Sequence, residues 1–173
     1  MMPHSENGVQ VHFPDNNYFF FGNCAAYKAI SGHSVKEMDI CWLDTSLNTL
    51  WCVELKAFDD PNNPKFFQRD LTDGNIVQYW IDELYKKTLH TLCMLETDRS
   101  NTNACVVQGI TDQTIFKLVH LINVMPGQET LLQFIQDELR IMLKPILAIY
   151  NVHSLTVIPY SLAKNKAILP WIV

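Results

Sequence analysis

The segment from Glu37 to Phe58, EMDICWLDTSLNTLWCVELKAF, constrains most strongly what this 173-residue chain can fold into. Two runs within it, 38–43 and 50–57, are rich in aromatic, β-branched and other apolar residues, which is typical of strands. The polar sequence DTSLNT separates them and is typical of a tight turn. The segment therefore predicts a β-hairpin that folds about Ser46 and Leu47.

The register of this hairpin brings charged side chains together. A symmetric hairpin places Asp39 opposite Glu54 and Glu37 opposite Lys56, and alternation puts all four on one face. Two carboxylates with Cβ atoms about 5 Å apart repel each other, and the apolar neighbours indicate burial, which raises the cost of an unpaired charge. A divalent cation between the carboxylates would remove both costs. In the alternative, Lys56 pairs with Glu37 on a solvated face.

Cysteine usage and the absence of targeting segments indicate a cytoplasmic protein. Five cysteines without CxxC spacing do not indicate a disulfide framework. Cys41 and Cys52 face each other in the hairpin and could bridge or bind zinc, although two buried thiols are the favoured interpretation. The first ten residues lack the basic and apolar regions of a secretory signal. No apolar run is long enough to span a bilayer, so we expect no membrane partner.

Asp39, followed after fourteen intervening residues by Glu54-Leu55-Lys56, resembles the D…(D/E)xK signature of the PD-(D/E)XK nuclease superfamily. This superfamily includes many restriction endonucleases, Holliday-junction resolvases and RecB-like repair nucleases. The resemblance implies a core made of a helix, a β-hairpin bearing the acids, a third strand, a helix and a fourth strand. It covers roughly residues 20–160 as an order of elements.

The resemblance also implies a chemistry. Asp39 and Glu54, with the carbonyl of Leu55, would hold Mg²⁺ or Mn²⁺ through oxygen ligands. The cation would lower the pKa of a bound water and stabilise charge on the phosphate oxygens, while Lys56 would orient or activate that water. The implied activity is hydrolysis of phosphodiester bonds in nucleic acid, with DNA as the expected substrate.

Two further residues are auxiliary candidates under the same resemblance. Many members place a Glu on the first helix, and Glu37 could supply this acid from the hairpin instead. RecB-like members carry a Gln on the helix that follows the motif, and Gln78 lies on the corresponding predicted helix.

The remaining patterns predict an α/β fold: a restriction-endonuclease-like mixed central sheet flanked by helices, in a single domain over 18–173. Residues 1–17 are predicted to form a polar N-terminal arm with a short edge strand at 9–13. Apolar residues that recur every three or four positions indicate two long amphipathic helices. Beside the hairpin, the predicted elements are helices over 23–30, 75–95 and 129–144, the last ending or kinking at Pro145, and strands over 104–108, 115–124 and 154–160.

Net charge and the chain's C-terminal residues keep other partners and functions open. A net charge of −5 fits poorly with nucleic acid, because phosphate binding is usually accompanied by a basic surface. This charge, and the absence of an acid on the first helix, favour an alternative function: a catalytically inactive nuclease-fold module for binding or assembly. The apolar tail with Ile168, Leu169, Trp171 and Ile172 also leaves a homodimer open.

Overall fold

The computed structural model describes residues 3–58, 74–100, 109–166, 169, 171 and 172. The predicted strand over 104–108 lies outside these residues. In chain order the elements are β1 (His4–Glu6), β2 (Val9–Val11), β3 (Tyr18–Phe19), α1 (Ala25–Ile30), β4 (Ile40–Asp44), β5 (Thr49–Ala57), α2 (Gly74–Ser100), β6 (Ile115–Asn123), α3 (Glu129–Ile149), β7 (Val152–Pro159) and α4 (Tyr160–Lys166).

A five-stranded mixed sheet with the spatial order β3-β4-β5-β6-β7 forms the centre of the fold. Strands β3, β4 and β5 pair in an antiparallel manner, whereas β5, β6 and β7 are parallel. Parallel neighbours need a long crossover connection, and α2 and α3 lie in the two crossovers. The predicted α/β class with a mixed central sheet is therefore confirmed.

The hairpin of β4 and β5 has the predicted register. Cys41 pairs with Cys52, and both side chains are fully buried without forming a disulfide. The interpretation as two buried thiols is confirmed. The strand boundaries differ from the predicted ones by one or two residues, and β4 begins at Ile40, so that Asp39 lies one residue before the strand instead of within it.

The turn of the hairpin is closed by one carboxylate. Asp44 pairs with Thr49 across the hairpin. Its Oδ1 atom accepts hydrogen bonds from the backbone N–H groups of Ser46 (3.0 Å) and Leu47 (3.2 Å). An Asp that binds the backbone two and three residues further on stabilises a tight turn, which explains why this polar sequence reverses the chain here.

Both faces of the sheet are covered, so the central strands are apolar along most of their length. Helices α2 and α3 cover the face that carries Cys52 and Leu118. On the opposite face, the core includes Trp51 and Leu55, with side chains from β2, α4 and the C-terminal residues packed against them. Along β5 this leaves Glu54 as a fully buried carboxylate between apolar neighbours.

The N-terminal segment packs against the sheet instead of extending from it as an arm. Strand β2 lies within the predicted edge strand but pairs with β1 in a separate two-stranded sheet. Val9, Val11 and Phe13 are each at most 4% exposed and belong to the core on the second face of the central sheet. Residues 3–17 are therefore part of the same packed unit as the sheet.

The helices differ from prediction mainly at their ends. Of the two predicted alternatives at Pro145, an end or a kink, the end of the helix is wrong, because α3 continues to Ile149. Pro145 and Ile141 are exposed, so water can hydrate the carbonyl that loses its N–H partner four residues before the proline. Helix α4 was not predicted; it begins at Tyr160, where the predicted last strand ends, and continues to Lys166. Among the described residues, none of the helices combines the length and apolar character needed to cross a membrane.

The apolar C-terminal residues cover the chain's own sheet. Leu169, Trp171 and Ile172 are at most 8% exposed. The ring of Trp171 lies 5.4 Å from that of Phe13 and 5.8 Å from that of Trp51, measured between centroids. Leu169, Trp171 and Ile172 are thus covered by the chain itself and do not support a homodimer, whereas Ile168 lies outside the described residues.

Truncation of the buried tryptophan tests this packing. We expect Trp171→Ala to lower the free energy of unfolding by about 3–5 kcal/mol, because it leaves a cavity between two other aromatic rings. Urea denaturation followed by fluorescence measures the change. Ile149→Ala is the control, since this side chain is 74% exposed and should change stability by less than about 0.5 kcal/mol. Equal stability of the two variants would show that the tail does not dock.

Candidate functional site

Asp39 and Glu54 converge at the end of the β4–β5 pairing. The pairing of β4 with β5 starts at Ile40, the first residue of β4. One residue before it, the Asp39 Oδ2 atom accepts a hydrogen bond from the Leu55 N–H at 2.6 Å. The Asp39 carboxylate thus accepts the hydrogen bond that a backbone carbonyl of β4 would accept if the pairing continued along β5. Glu54 precedes Leu55 on that strand, and the structure brings the two acids together as the register predicts.

Lys87 of α2 joins the two carboxylates. Its Nζ atom lies 2.9 Å from Asp39 Oδ1 and 2.7 and 2.8 Å from the two oxygens of Glu54. The lysine side chain is only 13% exposed. A single ammonium group therefore compensates both acids, in a position where water screens the interaction poorly.

Lys87 was not among the predicted site residues, although the sequence carries a signal for it. On α2, Leu84 lies three residues before Lys87 and Thr91 lies four residues after it, and both are fully buried. The adjacent Thr88 is also buried. Residues spaced by three or four share one face of a helix. A lysine on the buried face of an amphipathic helix needs an acidic partner, and this requirement points to a buried carboxylate.

Lys56 lies beside Glu54 and not beside Glu37. Its Nζ atom is 3.4 Å from Glu54 Oε1, and its side chain is 24% exposed. Glu37 instead accepts a hydrogen bond from the hydroxyl of Tyr27 on α1. The predicted alternative pairing of Lys56 with Glu37 is wrong, because the strand pairing stops at Ile40 and the preceding residues turn towards α1 and α2.

Helix α2 also positions the segment that leads into Asp39. Three side chains of α2, which lie within about one turn of Lys87 on either side, bind residues 36–38. Asp39 therefore approaches Lys87 from a fixed direction. These contacts are the ion pair of Glu83 with Lys36, the hydrogen bond from the Lys36 N–H to His90 Nδ1 (3.0 Å), and the hydrogen bond from the Met38 N–H to Thr91 Oγ1 (2.8 Å).

His120 lies next to the site as a core residue. It pairs with Glu54 across the parallel strands β5 and β6, is fully buried, and its Nε2 atom is 3.1 Å from Thr88 Oγ1. Burial, together with the charge of Lys87, lowers the pKa of His120 to about 3. The ring is thus neutral at physiological pH and serves as a hydrogen-bonded core residue.

The buried charges shift one another's protonation. Burial raises the pKa of Glu54 to about 8, the negative charge of Asp39 adds to this effect, and Lys87 and Lys56 oppose it. Burial by itself lowers the pKa of Lys87, but the two carboxylates outweigh this effect and raise the pKa above its ordinary value. Near neutral pH, Glu54 therefore retains a proton that an exposed Glu would have lost. Lys87 then forms an ion pair with Asp39 and a hydrogen bond with Glu54, and the ion pair with Glu54 forms once that proton leaves.

Asp39 also borders an open cavity of about 400 Å³. Glu37 and Glu6, the latter from β1, line the same cavity, and burial raises the pKa of both. Glu6 was not among the predicted site residues, because its position next to the hairpin depends on how β1 and β2 fold back onto the sheet. The other lining residues are Phe20, Gly22 and Asn23.

Gln78 does not join the two acids. It is exposed on α2, and its Nε2 atom donates a hydrogen bond to Asp82 Oδ1 at 2.9 Å. Within the part of the chain that the structure describes, it makes no hydrogen bond to Asp39 or Glu54. Its assignment as an auxiliary site residue thus gains no support from the geometry.

The oxygen atoms at this site are of the kind that hard divalent cations bind. Carboxylate and carbonyl oxygens are the ligands that Mg²⁺ and Mn²⁺ prefer. Glu54 Oε1 is fully buried and receives no well-directed hydrogen bond from any described residue, although Lys87 Nζ lies close to it. The Leu55 carbonyl accepts one hydrogen bond, from Asn7 Nδ2 (2.8 Å), and keeps a second lone pair. In 3–58, 74–100 and 109–166, no three His, Cys, Asp or Glu side chains form a metal-binding group.

Comparison with known proteins assigns no function to this arrangement. No protein-family model matches the chain, and neither a curated protein nor a solved structure matches it. Any function therefore rests on the geometry and chemistry of the site itself.

The raised pKa of Glu54 predicts a pH-dependent stability. Because the folded protein holds a proton that the unfolded chain releases above the ordinary pKa of 4.5, the contribution of Glu54 to stability is complete below about pH 4.5 and is lost as the pH rises to about 8. In the Glu54→Gln variant the side chain is an amide, which does not titrate, so this pH-dependent loss of stability is absent. We expect the free energy of unfolding of the variant, relative to the wild type, to increase by a few kcal/mol between about pH 5 and 8.

Urea denaturation at several pH values, in the presence of a chelator, measures this difference. Asp137→Asn is the control, because this carboxylate is exposed on α3 and binds only Gln133 in the described structure. A constant difference between Glu54→Gln and wild type across this pH range would contradict the assignment of the proton to Glu54.

Proposed function

We propose that this protein is a metal-dependent nuclease that hydrolyses phosphodiester bonds, with DNA as its substrate. The observation that carries the proposal is the convergence of Asp39 and Glu54 on one point, marked by the Lys87 ammonium within 2.9 Å of both. Lys56 lies next to them, so the three residues of the D…(D/E)xK signature share one site.

The order of elements supports a restriction-endonuclease-like fold. Helix α1 precedes the hairpin of β4 and β5 that bears the two acids, and α2 and β6 follow it. Strand β3 pairs with β4 and provides a third strand on the far side of the hairpin. This arrangement corresponds to most of the core that the resemblance implies, although β3 precedes the hairpin in the chain.

The residues have distinct roles in this proposal. Asp39, Glu54 and the Leu55 carbonyl would hold Mg²⁺ or Mn²⁺, which supplies positive charge for the phosphate oxygens and activates the attacking water. Lys56 is partly exposed beside Glu54 and would donate a hydrogen bond to that water or to the phosphate, which offsets negative charge in the transition state. Glu37 lines the cavity that Asp39 borders and is an auxiliary acid.

A second candidate is a catalytically inactive nuclease-fold module for binding or assembly. The observation that favours it is that Lys87 and the proton retained on Glu54 already stabilise the two acids without a metal ion. The acidic lining of the cavity, with Glu6 and Glu37, and the net charge of −5 also disfavour a polyanionic substrate. In this candidate the contact of Asp39, Lys87 and Glu54 fastens the hairpin to α2 and has no catalytic role.

A cleavage assay separates the two candidates. The purified full chain is incubated with plasmid DNA, single-stranded DNA and RNA, in the presence of Mg²⁺ or Mn²⁺. We expect DNA cleavage that Asp39→Asn and Glu54→Gln abolish, because each removes a negatively charged oxygen ligand. Lys56→Met should reduce the rate by about 10²–10³-fold, the loss expected for one electrostatic donor. Asp137→Asn, an exposed acid on α3, serves as the matched control and should retain full activity.

Two outcomes would contradict the nuclease proposal. Retained cleavage after Glu54→Gln would place the reaction at another site. Absence of cleavage of every substrate, together with no heat on titration of the wild type with Mn²⁺, would support the inactive module instead.

A further inference from the structure

The position of Lys87 has a consequence for how any cation enters the site. Its ammonium group is an ion-pair partner of both carboxylates that a divalent cation would use. The N–O distances of 2.7–2.9 Å leave no gap between this group and the acids. The site therefore holds a positive charge of its own.

A divalent cation bound to these oxygens would be repelled by the Lys87 ammonium group, which lies closer to both acids than Lys56 does. Mg²⁺ binds oxygen at about 2.0–2.1 Å, so a cation on the same carboxylates would lie within a few ångströms of the ammonium nitrogen. At such a separation, with Glu54 fully buried, repulsion between the two positive charges is poorly screened. This repulsion favours departure of the ammonium group when the cation binds.

The surrounding contacts indicate that the side chain of Lys87 would move and not helix α2. Thr88 next to it binds His120 of β6, and Thr91 one turn further on binds the backbone of Met38. Both contacts are buried and fix the helix on the sheet. The flexible stem of a lysine can reorient without breaking either of them.

We propose that Lys87 is an internal competitor of the divalent cation, so that its ammonium group must leave Asp39 and Glu54 before the cation binds, and the residue thereby sets the metal affinity of the site. This inference rests on the proposed function, because it concerns the same two carboxylates. It adds a residue outside the D…(D/E)xK signature that controls whether the site is loaded.

Competition by Lys87 and a purely structural role for Lys87 predict opposite changes in metal affinity when the lysine is removed. If the lysine served only to hold the two acids in place, its removal would weaken metal binding, because the carboxylates would repel each other and separate. If it competes with the cation, its removal strengthens metal binding, because the cation no longer has to displace a charge. Metal affinity thus distinguishes the two roles without reference to catalysis.

Isothermal titration of the metal-free full chain with Mn²⁺ tests the proposal. We expect Lys87→Met to bind Mn²⁺ about tenfold more tightly than the wild type. Lys86→Met is the matched control, since Lys86 is exposed one residue earlier on α2, and its affinity should equal that of the wild type. Adding Asp39→Asn to Lys87→Met should abolish the tight binding, which assigns it to this site.

The outcomes separate this inference from the proposed function. Equal or weaker Mn²⁺ binding by Lys87→Met, with binding by the wild type, would overturn the competition and leave the nuclease proposal standing. No binding by either protein would overturn both. Tight binding by Lys87→Met without DNA cleavage by the wild type would support the competition and contradict the nuclease activity.

Loss of the buried lysine could also unfold the protein, which a second variant addresses. Lys87→Gln removes the charge but keeps an amide that can donate hydrogen bonds to the acids. If both variants are unfolded without metal, the competition predicts that Mn²⁺ restores their far-ultraviolet circular dichroism, because the cation replaces the missing positive charge. Failure of Mn²⁺ to restore it would overturn the proposal.

Discussion

Burial of the Glu54 carboxylate in the middle of β5 is the constraint on which the site and much of the fold depend. The strand is covered on both faces, and a carboxylate in such a place is unfavourable unless it is paired and hydrogen-bonded. Lys87 and Lys56 provide the positive charge, and a retained proton relieves the remaining cost. The hairpin and α2 therefore have to meet at this point.

Helix α2 connects the site to the stability of the whole domain. On one side its residues bind the segment before Asp39, and on the other side Thr88 binds the buried His120 of β6. Substitution of a charged residue here changes the packing of the helix on the sheet as well as the chemistry of the acids. This coupling is the reason that metal binding, pH dependence and unfolding have to be measured together to separate structural from functional roles.

Much of the fold and half of the site follow from local patterns. The facing of Cys41 and Cys52, and the convergence of Asp39 with Glu54, follow from a symmetric turn and a period of two residues. The long helices follow from apolar spacing, although their ends do not. The same argument fails for the predicted pairing of Lys56 with Glu37, because the ladder stops at Ile40 and Glu37, three residues before it, turns away to the Tyr27 hydroxyl.

The sequence by itself determined the class of fold, the register of the hairpin and the presence of two opposed acids, because these depend on contacts between residues close in the chain. Only the tertiary structure decided which cation faces those acids. Lys87 is 48 residues from Asp39 and 33 from Glu54, and their contact depends on how α2 is rotated and shifted over the sheet. Local periodicity places a side chain on a helix face, but close packing of the core selects the atoms that this face meets.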